Sequence, residues 1–209
     1  LISLQRYDQA LTEISKALAL PPHRWIDCHF TRGLALLRLG RIEEARQEMH
    51  RALLHGPFDS EVALYLAMCH EVAGADAEAR SIYEGVVSRG SGLGQKFAAD
   101  WLAILQSKKN DANWEFELAI ELNDNLLNGV AGMFRNEITP EALFASCTEK
   151  AALTKSHYYA GRYYDAIGQH DDALNYYRLC WTERHRDLPE SDFAKAILSQ
   201  REKEVAQAK

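Results

Sequence analysis

Proline is scarce in this chain, five in 209 residues, and there is no long Ser/Gly tract. That composition argues against a disordered polypeptide. Basic charge is also in short supply. Lys and Arg number 24 against 30 Asp and Glu, for a net charge of -6. Binding to a nucleic-acid backbone rests on Lys and Arg neutralising phosphates, so no nucleic-acid partner is expected, although a local basic patch stays open. No apolar run approaches the roughly 20 residues that a membrane span requires, so no span is expected. Cysteine is limited to Cys28, Cys69, Cys147 and Cys180, far apart and without a CxxC. Neither a disulfide framework nor a zinc site is indicated, and the four read as small buried residues of a reducing compartment. No secretory leader is visible, yet the pattern described next is already under way at Leu1, so the natural N-terminus is expected upstream. The compartment stays open: a cytoplasmic one fits the thiols, and a leader upstream of Leu1 would mean the envelope or periplasm.

What is present is self-similarity. RYDQALTEISKALALPP from Arg6, RIEEARQEMHRALLHGP from Arg41 and ADAEARSIYEGVVSRGS from Ala75 align on Ala10, Ala45 and Ala79, which stand 35 and then 34 residues apart. Four residues beyond each alanine comes a bulky side chain, Ile14, Met49 or Tyr83. Three further on comes Ala17, Ala52 or Val86. Offsets of four and three keep these on one helical face. The first two copies end at Pro22 and Pro57. Upstream lie HFTRGLALLRLG, His29 to Gly40, and LYLAMCHEVAG, Leu64 to Gly74, each with a small residue, Gly33 or Ala67, seven places before its closing glycine. Gly40 and Gly74 suit the left-handed position that ends a helix. The unit is therefore helix, glycine turn, helix, proline stop. Two helices about 8–10 Å apart need small residues where they cross, and Gly33 with Ala45, then Ala67 with Ala79, supply them.

This pattern, over residues 26–91 with a half-unit at 1–22, resembles the tetratricopeptide repeat. Leu36 and His70 stand where that family favours an aromatic. The resemblance implies an all-α, right-handed solenoid of antiparallel helix pairs. SHYYAGRYYDAIGQHDDALNYYRLC, Ser156 to Cys180, repeats the pattern with Gly161, Tyr164, Gly168, Ala173, Tyr177 and Cys180. Ala173 stands 94 residues beyond Ala79, which is no multiple of the period, so non-repeat helices interrupt the array. Four segments are expected: a repeat block at 1–91, a divergent helical segment at 92–150, a further repeat-like unit at 151–188 and a terminal helix within 189–209. In the divergent segment, GQKFAADWLAILQ reads as one helix with Phe97, Trp101, Leu102 and Leu105 near one face. ANWEFELAIELNDNLLNGVAGMF reads as another, with a degraded repeat helix at Trp114 to Ala119 and a candidate break near Asn128–Gly129. Asn136 to Thr139 reads as a turn, with Thr139 as N-cap and Pro140 in the first turn of the next helix. The terminal helix is expected from Ser191, with one apolar edge at Phe193, Ile197 and Leu198 and a solvated face at Arg201–Glu204.

Residues 126–200 also resemble the C-terminal part of NlpI-type tetratricopeptide lipoproteins of bacterial envelopes, through Phe134, Ile138, Leu143, Tyr158, Tyr159, Gly161, Tyr163, Tyr164, Gly168 and Ala173. That resemblance implies a homodimeric adaptor that docks hydrolases or proteases. The lipidated cysteine of that family is not in this chain.

In the fold implied, first helices line a concave face. The side chains expected there are Asp27, Phe30, Leu34 and Leu37, then Glu61, Leu64, Met68 and Glu71, and in the late unit Lys155, Tyr158, Arg162 and Asp165. The first two sets form stripes that are apolar in the middle and acidic at the edges, suited to a partner's amphipathic helix or apolar segment. Homodimer contact and internal packing are the alternatives for the same side chains. Phe30, Leu34, Leu64 and Met68 occupy the places where some such domains carry a carboxylate clamp, which argues against that ligand. The tyrosine cluster around Tyr158 and Tyr176 reads as core more readily than as a base-stacking platform.

Catalytic chemistry finds no support. His70-Glu71 begins like a zinc-protease motif, but Gly74 stands where the second metal ligand belongs. His50 and His55 are five apart, which is poor for one helical face. His170-Asp171-Asp172 reads as the start of a helix. There is no GxSxG and no Gly-rich phosphate loop. Glu43/Arg46 and Glu48/Arg51 read as surface pairs. No cofactor or metal is expected. The sequence thus describes a non-catalytic scaffold, with a self-assembly module or the regulatory arm of a larger enzyme as alternatives.

Overall fold

The structure, a computed structural model, describes residues 4–20, 25–54, 58–90, 95, 98–99, 101–102, 125–182 and 188–207. Ten helices and no strands occur among the described residues. They are α1 (Leu4–Leu18), α2 (Trp25–Arg38), α3 (Ile42–Leu54), α4 (Ser60–Val72), α5 (Asp76–Arg89), α6 (Asn125–Phe134), α7 (Pro140–Ser146), α8 (Lys150–Ala166), α9 (His170–Thr182) and α10 (Pro189–Gln207). Pro22, Pro57, Phe97, Leu105, His55 and the degraded repeat helix at Trp114–Ala119 lie outside the described residues. The chain forms two compact units, one of residues 1–95 with 195–209 and one of residues 96–194.

In the first unit α1 packs on α2, α2 on α3, α3 on α4 and α4 on α5, the succession of neighbours that a helical-repeat array requires. Ala45, Ala67 and Ala79 are fully buried, as are Met49 and Tyr83 one turn on from the second-helix alanines. The helix ends follow from two glycines. Gly40 has φ 69° and Gly74 φ 76°. At the first, Gly40 N–H donates to Leu37 O (2.8 Å) and Arg41 N–H to Leu36 O (2.9 Å). At the second, Gly74 N–H donates to Glu71 O (3.0 Å) and Ala75 N–H to His70 O (2.9 Å). Both are Schellman closures, which satisfy carbonyls that the helix leaves without partners and need a residue free to adopt positive φ. Lys203 of α10 adds a cation at the first of these ends, its Nζ donating to Leu39 O at 2.9 Å. Helix α4 begins at Asp59, whose Oδ1 accepts from Glu61 N–H (2.9 Å) and Val62 N–H (3.1 Å).

In the second unit α6 packs on α7 and α8, α7 on α8, and α8 on α9. The α8–α9 pair reproduces the repeat. Gly168 has φ 80°, with Gly168 N–H donating to Asp165 O and Gln169 N–H to Tyr164 O. Ala173, Tyr177 and Cys180 are fully buried. Gly161 is where the helices cross: a Cβ there would lie 2.5 Å from a ring carbon of Tyr177. The turn at Asn136 closes in the same manner with φ 60°, and Thr139 caps α7, its Oγ1 accepting from Ala142 N–H at 3.3 Å ahead of Pro140. The expected break at Asn128–Gly129 does not occur, since α6 continues through it. Gly129 serves instead for close approach, because a Cβ there would stand 2.5 Å from Leu143 of α7. Trp101 and Leu102 are buried, and Trp101 Nε1–H donates to the Tyr159 hydroxyl.

Helix α10 starts at Pro189, two residues earlier than expected, and its apolar edge is not its only buried side. Glu190, Ser191, Asp192, Ala194, Ala196 and Ser199 are buried along with Phe193, Ile197 and Leu198. The burial of residues 190–199 is therefore not confined to one face. Short and polar side chains make up much of that enclosure, so hydrophobic periodicity does not mark it. Residues 202–206 are exposed.

Candidate interaction surface

The first-helix stripe of the repeat block divides by depth. Asp27 and Glu61 are exposed, Phe30 and Leu34 are half-buried, and Leu37, Leu64, Met68 and Glu71 are buried. Phe30 sits edge-on to Tyr65 at 5.4 Å between ring centres, which fixes its orientation. Glu71 accepts a hydrogen bond from the Tyr83 hydroxyl at 3.3 Å, so its carboxylate joins α4 to α5. In the late unit Lys155 and Arg162 are half-buried and Tyr158 is buried, its ring packed against Tyr159 and Tyr177. Asp165 accepts from the Tyr177 hydroxyl at 2.9 Å. Glu71–Tyr83 and Asp165–Tyr177 are the same clasp, a first-helix carboxylate and a second-helix tyrosine twelve residues on. At the corresponding places in the α2–α3 pair stand Leu37 and Met49, both fully buried.

In one pair expected at the surface, the arginine is exposed but the carboxylate is not. Glu48 is only 3% exposed. His29 Nδ1 lies 2.7 Å from its Oε2, and Arg51 Nη1–H donates to its Oε1. Carboxylates are seldom buried without such partners. The i,i+3 spacing to Arg51 is identical in an exposed and a buried pair, so sequence cannot separate them. Glu43/Arg46 is the exposed version, and the arginine hydrogen bond holds the Glu43 carboxyl below its ordinary pKa.

The buried thiols are chemically quiet. Burial pushes Cys69 and Cys180 well above the usual thiol range, which keeps them protonated and poorly nucleophilic. His70 is half-buried and held below its ordinary pKa, chiefly by desolvation. His170 Nδ1 lies 2.9 Å from Asp165 Oδ1. Among the described residues no three His, Cys, Asp or Glu side chains gather as metal ligands would, and no helix is long and apolar enough to cross a membrane.

Two features go beyond the sequence reading. One is the inner arrangement of the tyrosine cluster in the second unit, which Phe144 and His157 join. Tyr164 and Tyr176 stack nearly parallel at 5.2 Å, with Phe144 5.3 Å from Tyr176 and 5.0 Å from His157. Desolvation, with Tyr164 and Glu141 nearby, pushes Tyr176 up to about 12. The other is an open pocket of about 450 Å³ between α3, α4 and α5, lined by Leu53, Phe58, Leu66, Ile82 and Arg89 among others. Its only sequence signal is Phe58 next to a proline, a weak one.

Paired antiparallel helices with small residues at the crossings and glycine-closed turns define a helical-repeat protein. The model of the tetratricopeptide repeat family matches residues 30–93, and the chain carries tetratricopeptide repeats there. Repeats of this family generally mediate protein–protein interaction and are not themselves catalytic. No curated protein sequence matches the chain.

Proposed function

We propose that this chain is a non-catalytic scaffold that holds a partner protein through the first-helix stripe of its repeat block. The supporting observation is the stripe's division by depth. Its deep members Leu37, Leu64, Met68 and Glu71 are enclosed in the chain. Its reachable members Asp27, Phe30, Leu34 and Glu61 present two apolar side chains flanked by two carboxylates. That suits an amphipathic segment with an apolar ridge and basic flanks. Half-buried Phe30, held edge-on by Tyr65, is the natural anchor, because an aromatic fixed in the free protein loses little freedom on binding. Lys155 and Arg162, half-buried on the late unit, belong to the same reading as a second contact region.

The test is co-purification of partners on wild type and on a Phe30→Ala/Leu34→Ala variant, with melting midpoints compared. Loss of one or more partners at an unchanged midpoint supports the reading. Identical partner sets refute it. Self-association is the second use of such a surface, and light scattering separates it: a stable dimer dissolved by Phe30→Glu assigns the stripe to a second copy.

A further inference from the structure

A pocket apart from that stripe opens on another side of α4. At about 100° per residue, Leu66 stands nearly half a turn from Glu61, Leu64, Met68 and Glu71, whereas Ala63 is about 80° from Glu71 and farther from the rest; both lie off the stripe. They contribute to the open pocket of about 450 Å³ whose other apolar walls are Leu53, Phe58 and Ile82. Phe58 is 36% exposed, and Leu54, beside Leu53, is 68% exposed, so apolar surface continues past the rim. Side chains of this size are normally covered when they cluster.

Among the described residues the pocket has one charged lining residue, Arg89, and its position is built. The guanidinium carbon sits 4.3 Å from the centre of the Phe58 ring. Its Nε–H donates to Gly85 O at 3.3 Å. Gly85 makes this folding-back feasible, since a Cβ there would lie 2.9 Å from Arg89 Nη2. Arg89 forms no ion pair among the described residues, whereas Arg41, Arg46, Arg51 and Arg135 each lie within ion-pair distance of a glutamate. A guanidinium stacked on an aromatic face, with its Nε already bonded, keeps both terminal nitrogens for a planar acceptor.

We infer that this pocket docks a partner polypeptide segment in which an apolar side chain lies beside an aspartate or glutamate. The apolar side chain fills the space between Leu53, Leu66 and Ile82, and the carboxylate accepts two hydrogen bonds from Arg89. The occupant follows from charge complementarity: among the described residues the walls are apolar apart from Ser81, and the one charge they carry is positive and without a counter-charge. The protein as a whole carries -6 and repels acidic partners at a distance, so recognition here acts at contact range, within a Debye length of about 8 Å at physiological salt.

The experiment is a selection of randomised twelve-residue peptides displayed on phage against the full chain, followed by affinity measurement of the enriched peptides on wild type, Arg89→Glu, Gly85→Ala and Phe30→Ala. Enriched peptides are expected to carry Leu, Ile or Phe within one helical turn of Asp or Glu. They should bind Arg89→Glu at least tenfold more weakly, and Gly85→Ala, in which the added methyl displaces the guanidinium, several-fold more weakly. Binding to Phe30→Ala should be unchanged, with no variant melting appreciably below wild type. Enriched peptides without an acidic residue, or binding undiminished in Arg89→Glu, overturn the inference, as does a selection that enriches nothing. Peptides lost on Phe30→Ala but kept by Arg89→Glu support the stripe as the binding surface and sink this pocket. A dimer in light scattering that Arg89→Glu dissolves replaces the peptide with a second copy and also overturns it.

Discussion

The same substitution at two equivalent glycines should have opposite consequences. Gly33 in α2 and Gly161 in α8 both occupy the crossing of a first helix with its second. Replacing glycine with alanine inside a helix adds about 1 kcal/mol of intrinsic helix preference. Against this stands what the new methyl meets. At 161 it meets the ring of Tyr177, with three ring carbons between 2.5 and 2.9 Å. That ring is fully buried and its hydroxyl is tied to Asp165, so it cannot swing aside. Overpacking a rigid core contact costs about 1–3 kcal/mol or somewhat more. Gly161→Ala should therefore lose about 1–2 kcal/mol net, a fall of roughly 2–8 °C in melting midpoint for a chain of this size. At 33 the methyl meets Met49 Cε at 2.6 Å and Sδ at 3.0 Å. Those atoms end an unbranched side chain that can re-rotate. Gly33→Ala should stay within about 0.5 kcal/mol of wild type, with the propensity gain offsetting the repacking. Thermal and urea unfolding of both variants measure the difference. A double-mutant cycle with Tyr177→Met should also show Gly161→Ala becoming less harmful when the ring is absent. The reasoning is refuted if Gly161→Ala is as stable as wild type, or if Gly33→Ala falls equally far.

Three further outcomes follow from the same structure. Ala45→Leu, at a fully buried crossing whose carbonyl lies 3.4 Å from where a Cβ on Gly33 would stand, should cost about 1–3 kcal/mol in urea unfolding. Gly40→Ala should destabilise more than Gly74→Ala. Both force a side chain to positive φ, at about 1–2 kcal/mol, but only at 40 does the new Cβ also meet a neighbour, Ser199 Cβ at 2.6 Å, whereas 74 faces open space. Glu190 is 2% exposed and its Oε2 has no hydrogen-bond partner among the described residues; burial raises its pKa above its ordinary value while Lys155 opposes the rise. The folded state thus holds this proton more tightly than the unfolded one. Its contribution is present below the unfolded value and is lost as pH rises through the folded value. Glu190→Gln should remove that part of the decline, seen as a shallower fall of melting midpoint with pH above 4.5.

The fold was legible because its rules are local. Ala45 and Ala79 are small because helices cross there, and Gly40 and Gly74 close helices within six residues of their partners. Depth along the stripe was not legible. Spacing places Leu34 and Leu64 on equivalent faces, but whether chain from elsewhere covers that face depends on tertiary packing, so one is half-buried and the other enclosed. The same gap misread Glu48, whose i,i+3 arginine looks like any surface pair until His29 is brought across from α2. It also hid the Arg89 pocket. A basic residue in the last turn of a helix is sufficiently explained by the helix dipole, and nothing local says that Phe58 comes to lie beneath it.

The tyrosine–carboxylate clasp has a consequence for anyone recombining these repeats. Its two halves lie on different helices, yet neither is tolerable without the other. Grafting α2 in place of α4 would bring Leu37 where Glu71 belongs and take the Glu71 acceptor from the Tyr83 hydroxyl, at about 1–3 kcal/mol. The reverse graft would set Glu71 against Met49, a buried carboxylate facing a thioether. The interchangeable module is therefore the helix pair and not the helix, and a chimaera cut between α4 and α5, or between α8 and α9, divides a single unit of information.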